Sequence, residues 1–389
     1  MGASSSVSHN RAAALLWLCA RASCMCLHVL LDVLACANGK RSRERTNEEY
    51  SSNRAPAHSI PVIPTVEVVM FATSYGSGTK GSAMAPAPIS EKRRRIEAVG
   101  VVVSFIVMIV MNVLSNFCGQ GKDPICKNNA QQSDANPTYL TPDGVTFAIW
   151  GLIYLMELIF TVYQALPSSK GGGFGVAQLD SCRPYVISAF VLNGLWLILF
   201  SFSLWWLSQL VIVSYLYCIV KAYEHLQISW FSQVDEDGAA VPISRKICCY
   251  AAFGLQTGWL VVATTLGLGV VGRNNGWTPP PDFGVMMITV IVLLNAYLSL
   301  TRADAFYNFI SCWALAGIVR MQNDAPASSS KPSVLPRSDQ IIHWCNFGFY
   351  CILIVGIIGL VRAVIMRNSP QRLRKSFDSD EPALASPLV

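Results

Sequence analysis

From Ala98 onward the chain is a succession of apolar runs, each about as long as a bilayer is thick, separated by polar joints. Eight runs are read, at 98–117, 143–166, 184–204, 207–228, 249–271, 283–301, 304–320 and 341–366. A helix rises about 1.5 Å per residue, so about 20 residues cross the hydrocarbon. Helices also close their backbone hydrogen bonds internally, as lipid demands. The runs predict an all-α, polytopic transmembrane helix bundle. Only 13% of the 389 residues are charged, against about 25% in a soluble domain.

The net charge of +6 collects at the ends of the runs. It reads as topology rather than as a footprint for nucleic acid, which is not an expected partner. Arg93, Arg94, Arg95, Lys170, Arg183, Lys221, Arg245, Lys246 and the basic residues after the last run fall on one side if both ends of the eight-span core are cytoplasmic. Two joints are short enough for tight hairpins. In "SLWWLSQ", Trp205 and Trp206 suit the membrane interface; in "LTRADAF", Asp304 suits a helix N-cap.

Residues 1–97 differ in character. Ala13–Ala37 is apolar yet holds Arg21, His28 and Asp32, and four readings stay open: signal peptide, signal anchor, transit peptide or a misplaced gene start. Residues 38–97 are rich in Ser, Pro, Ala and Arg and are expected to be disordered, as is the tail 367–389. Of the thirteen cysteines, none has the paired CxxC spacing of a zinc site, so no metal is expected. Cys118 and Cys126 share one polar loop and are positioned to bridge if it faces an oxidising lumen; two free thiols are the alternative.

Three runs carry polar residues at helical spacing. In the second, Asp143, Phe147, Trp150, Tyr154, Glu157, Thr161 and Gln164 fall on one stripe, with Ile149, Leu152, Ile153, Leu155, Met156 and Ile159 opposite as the expected lipid face. The third aligns Asn193, Trp196 and Phe200; the fifth aligns Gln256, Trp259, Ala263 and Gly267. Indoles and amides this deep either join helices or line a shared pocket. Glu157 is the one ionisable side chain well inside a run, with no basic residue at similar depth. Such a group is costly in lipid, so a structural hydrogen bond and a functional role both stand.

"TPDGVTFAIWGLIYL", "NGLWLILF" and "GWLVVATTLG", in that order, resemble the tryptophan-rich sensory protein family, which includes the translocator protein. The matching positions are Pro142, Trp150 and Tyr154, then Asn193 and Trp196, then Trp259, Ala263 and Thr264, and the resemblance covers roughly residues 98–272. It implies a five-helix bundle whose pocket is covered by the loop between the first two helices, here Cys118 to Thr141. It also implies binding of porphyrins, sterols or aromatic ligands, with Trp150, Asn193, Trp259 and Ala263 on the pocket wall and Tyr154 and Trp196 as supports. The family usually ends its last motif with Leu-Asn, where this chain has Leu266-Gly267, and it usually stops after five helices.

Four segments are therefore expected: 1–97 as targeting segment and linker, 98–272 as a translocator-protein-like core, 273–366 as three further transmembrane helices, and 367–389 as tail. The expected function is to bind a flat hydrophobic molecule, tetrapyrrole or sterol-like, at Trp150, Tyr154, Glu157, Asn193, Trp196, Gln256, Trp259 and Ala263, as sensor, receptor or carrier. The alternative is a proton-coupled transporter using Glu157. No Ser–His–Asp set, HExxH or phosphate loop appears among the runs, so catalysis is not favoured. A sterol-type pattern can be drawn at Val211, Tyr215 and Lys221. The expected partners are membrane lipid, the small ligand and a second copy, to which Gly254 and Gly258 offer a small-residue stripe, within the chain or between chains. The organelle stays open among plasma membrane, endomembranes, mitochondrion and plastid.

Overall fold

The computed structural model describes residues 89–118, 126–226, 228–230, 241–326 and 335–368. The readings made for residues 1–88 and for the tail beyond Asn368 lie outside the described residues. Nine helices carry labels here: α1 (Glu91–Phe117), α2 (Asn129–Ala135), α3 (Ile149–Ala165), α4 (Ala177–Ser201), α5 (Trp205–His225), α6 (Ala251–Asn274), α7 (Pro281–Arg302), α8 (Ala305–Asp324) and α9 (Asp339–Asn368). A 3-10 turn, Gly144–Ala148, leads into α3, and a π-helical turn, Lys246–Tyr250, leads into α6. Among the described residues no strand forms; Pro167 and Phe174 make one isolated bridge.

Counted with the turns that lead into α3 and α6, all of these helices except α2 and α8 are long and apolar enough to cross a membrane. The shortfall in α8 is one of apolarity, since its 20 residues suffice in length. It still runs the height of the bundle. Asp304 at its start accepts a hydrogen bond from the Tyr223 hydroxyl near the end of α5, at 2.7 Å. Arg320 toward its end reaches Asp143 ahead of α3, at 2.9 Å. Its polar side chains meet helices rather than lipid: Asn295 Nδ2 donates to Ser311 Oγ and Ser299 Oγ to Asn308 Oδ1, both at 2.9 Å. The expected all-α polytopic bundle thus forms, but with seven candidate crossings among the described residues rather than eight, α8 being packed against its neighbours through polar contacts.

Along the chain, α4 packs on α1 and α5, α5 packs on α6, and α3 sits against α1 and α6. The last three helices join this group chiefly through α8 on α6, and α9 lies across α7 and α8. Gly254 and Gly258 explain the contact. A side chain at Gly254 would press on Asp304 and Phe306; one at Gly258 would press on Ile310 and the Tyr307 carbonyl. The small-residue stripe seats α8 of the same chain, so the within-chain reading of that pair holds.

Three sequence expectations need correction. The first helix begins at Glu91, so residues 91–97 are not linker. Ser90 caps it by accepting from the Arg93 amide at 3.3 Å, and Glu91–Arg95 and Arg93–Glu97 pair one turn apart. The fourth helix starts seven residues before Pro184, because Asp180 is clamped there by Arg94 and Arg183, which hold the turn that proline weakens. Finally, Ile149 and Ile153 are buried rather than lipid-facing. Neighbours on both sides of α3 narrow its lipid face to the exposed Leu155, Leu158 and Val162.

Candidate ligand-binding site

From Cys126 on, the chain between α1 and α3 lies against the end of the bundle. Cys118 and Cys126 are joined by a disulfide, Cα to Cα 5.1 Å, which answers the question the sequence left open. Asn128 and Gln131 then form a capping box that starts α2, with bonds of 2.9 and 3.1 Å. Gln132 is buried and its amide donates to the carbonyls of Phe200 and Ser201 at 3.0 Å and to Ser203 Oγ at 2.8 Å, pinning the lid to the α4–α5 hairpin.

The second half of the lid is held by other helices. Arg273 donates to the Pro137 carbonyl at 3.0 Å, and Gln322 to the Tyr139 carbonyl at 3.1 Å. Beyond it, Arg320 grips both oxygens of Asp143 at 2.9 and 3.0 Å, and Trp313 Nε1 donates to the Thr146 carbonyl at 2.9 Å. Gly317 permits this approach, since any Cβ there would collide with Thr146. Partial burial pushes the Asp143 carboxyl up, but the bonds and charge of Arg320 together with Thr146 outweigh it and hold it below its ordinary value.

Beneath the lid lies a small, largely apolar cavity of about 50 Å³. Four indoles line it: Trp150, Trp196, Trp205 and Trp259. Trp150 is the hub. Its ring centroid lies 6.2 Å from Trp196 and 6.1 Å from Trp259, the latter edge-on, and it stacks on Tyr154 at 5.3 Å. Phe147 meets Trp259 edge-on at 6.0 Å. Ala263 lines the wall one turn above Trp259.

The remaining sequence candidates form a second layer, one turn deeper. Tyr154 donates to Asn112 Oδ1 at 2.6 Å; Asn112 donates to Asn193 Oδ1 at 3.0 Å; Asn193 donates to the Tyr215 hydroxyl at 3.2 Å; Gln256 donates to that same hydroxyl. This chain of hydrogen bonds crosses α3, α1, α4, α5 and α6. Asn193 and Gln256 therefore support the floor and do not line the cavity. Glu157 lies deeper still, 1% exposed, and neither of its carboxylate oxygens has a partner among the described residues. It is within electrostatic reach of the Tyr154 and Tyr215 hydroxyls.

Sequence reasoning missed several members. Asn112 is an amide in the middle of an apolar run, and that alone was a signal. Trp205 was assigned to the membrane interface; it lines the cavity, whereas Trp206 is exposed and bonds to Asn275. Tyr215 is fully enclosed with its hydroxyl in the network, so the Val211–Tyr215–Lys221 pattern does not present its tyrosine to lipid. Gln209 also lines the cavity, donating to the Thr264 carbonyl at 3.2 Å. Its carboxamide occupies the space beside Gly267, where any Cβ would collide with it. The Gly that departs from the resembling family's Leu-Asn is thus filled by an amide from the neighbouring helix. Among the described residues no group of His, Cys, Asp and Glu is arranged to hold a metal ion.

No curated protein and no solved structure matches the chain significantly. The family profile described as TSPO-like protein matches residues 98–359, well over half of the chain, and reaches past α6 through α7 and α8 into α9. With that match and its apolar helices, this chain belongs to the TSPO-like protein family and is an integral, multi-pass membrane protein.

Proposed function

We propose that the protein binds a flat hydrophobic molecule, tetrapyrrole or sterol-like, in the cavity beneath the lid, and serves as its sensor, receptor or carrier. The observation that carries this reading is the cavity wall of four indoles from α3, α4, α5 and α6, roofed by a lid fastened to several helices. The four indoles give a planar guest a wall of aromatic surface. The amide–phenol layer below fixes the indoles in place rather than touching the guest. Titrating purified protein with a porphyrin is expected to quench tryptophan fluorescence saturably, and Trp259→Ala to weaken that quenching. Quenching no greater than in protein-free lipid would sink the reading.

A second reading, proton-coupled transport, is favoured by one observation: Glu157 is enclosed with both oxygens unpartnered. Buried carboxyls without partners mark proton sites in membrane proteins. On this reading Glu157→Gln abolishes pH-driven uptake of the ligand into proteoliposomes, while equilibrium binding persists. Uptake that survives the substitution removes the proton role.

A further inference from the structure

The end of the bundle away from the lid carries a groove of a different kind. The loop from Pro167 to Phe174 folds back on the end of α3. The Gly173 amide donates to the Tyr163 carbonyl at 2.8 Å, the Phe174 amide to the Leu166 carbonyl at 2.9 Å, and Ser168 Oγ to the Phe174 carbonyl at 2.6 Å. Gly171 has a φ of +76°, and a Cβ at Gly172 or Gly173 would collide with Leu166, Leu179 or Tyr163, so the run "GGGFG" is what permits so close a fold. Phe174 is backed by Arg183, whose guanidinium carbon lies 5.8 Å from its ring centre. Pinned in this way, Pro167 and Phe174 line an open groove of about 430 Å³, together with Ala165 of α3 and Val99 and Val102 of α1.

The rim of this groove is basic. Arg95 lines it. Lys92 stands one turn earlier on the stripe that Val99 and Val102 continue, and Lys170 stands on the turn between Pro167 and Phe174. Both lysines are exposed, and neither has an ion-pair partner among the described residues. Arg93 and Arg94 are engaged by Glu97 and Asp180. Arg95 is paired with Glu91 alone, and the two side chains are 70% and 64% exposed. A pair so exposed holds weakly and leaves the guanidinium open to a phosphate, for which its fork is better suited. Below the groove, Val99, Val103, Ile106 and Val110 are all exposed and share one face of α1. Cations at the head of an exposed apolar track match the two ends of a phospholipid. We propose that the groove binds an anionic phospholipid of the surrounding bilayer, with its headgroup held by Arg95, Lys92 and Lys170 and one acyl chain laid along this face of α1. A zwitterionic headgroup brings its own cation to a rim where cations already outnumber Glu91, so net negative charge is selected. The site is separate from the cavity beneath the lid and does not depend on what that cavity holds.

The test uses the full chain in phosphatidylcholine nanodiscs doped with a trace of photoactivatable lipid. Two such lipids carry the same acyl-chain diazirine, one on a phosphatidylserine head and one on a phosphatidylcholine head. After illumination and digestion, labelling of residues 165–174 is read against labelling of the exposed face of α7 around Leu293. The serine lipid is expected to label the groove at least about fivefold more than the choline lipid, with a ratio near one on α7. Replacing both rim lysines, Lys92→Gln with Lys170→Gln, is expected to bring the groove ratio down to about twofold or less. Val99→Trp keeps every charge but fills the groove, and is expected to lower the ratio as far. All three positions are exposed, so the fold is expected to survive each change. Equal labelling by the two lipids in the unaltered protein overturns the proposal. So does a serine preference that outlasts the loss of both lysines. A preference that persists in Val99→Trp overturns it as well, because basic surface without a groove would then suffice. The same holds for a preference abolished by soluble glycerophosphoserine, because the headgroup would then bind without its chain.

Discussion

At the end of the bundle away from the lid, Arg183 is fully enclosed and each guanidinium nitrogen has a partner. Nε and Nη2 donate to the side chain and carbonyl of Gln164 at 2.8 and 3.1 Å, and Nη1 to Asp180, which Arg94 also holds at 2.7 Å. Under the lid, Trp259 is almost as enclosed and its N–H has none. The first cluster gains nothing from a visitor and reads as structure. The second leaves hydrogen bonds unmade, which a bare structural role would not favour. The two ends thus differ in how fully their buried polar groups are met: Arg183 completely, Trp259 not at all.

Arg183→Met is the hardest test of the paired end. It leaves the Gln164 side-chain oxygen unmet and Asp180 with Arg94 alone, and is expected to lower stability by about 3 kcal/mol. Thermal unfolding in detergent would show a drop of many degrees, and an unchanged midpoint would mean the cluster is ornamental. Glu157→Gln is expected to act oppositely, raising stability by about 1 kcal/mol because an unpartnered ionisable group gives way to a neutral one. A clear loss of stability would instead reveal a partner for Glu157 that binds its charge.

The lid strap comes next. Arg320 is 43% exposed, so Arg320→Ala is expected to cost about 1 kcal/mol or less overall. Its mark should be local: hydrogen exchange at 138–146 about fivefold faster, with little change elsewhere. The pH dependence follows from Asp143, whose carboxyl is held below its ordinary value of 3.8. Its contribution is full above that unfolded-state value and is lost as pH falls through the lower folded-state value. The lid's opening equilibrium, read as exchange divided by the intrinsic rate at each pH, should therefore be flat from neutral pH down to about 5, and rise only below about 4. Asp143→Asn should abolish that acid rise. Smallest of all, Gly267→Ala should displace Gln209 and change ligand affinity by about two- to threefold, with stability nearly unaltered.

Much of this was legible in the sequence because helical spacing is a local property. The stripe from Trp150 to Gln164, and the amides at Asn193 and Gln256, follow from counting residues along one helix. What counting cannot supply is the rotation of one helix against another. That rotation sets Tyr215 between Asn193 and Gln256, turns Trp205 inward while its neighbour Trp206 faces out, and buries Ile149 and Ile153. The strap from α8 was invisible for the same reason, since Arg320 and Asp143 stand 177 residues apart.

The modest apolarity of α8 bears on how the chain is made. A segment carrying Asn308, Ser311, Arg320 and Gln322 is a poor candidate to partition into lipid by itself. Its polar atoms are met instead by Asn295, Ser299 and the Gly254–Gly258 face, with Asp304 capping its start. The strap from Arg320 to Asp143 therefore needs α8 seated on α6, which ties the lid's fastening to the assembly of the late helices.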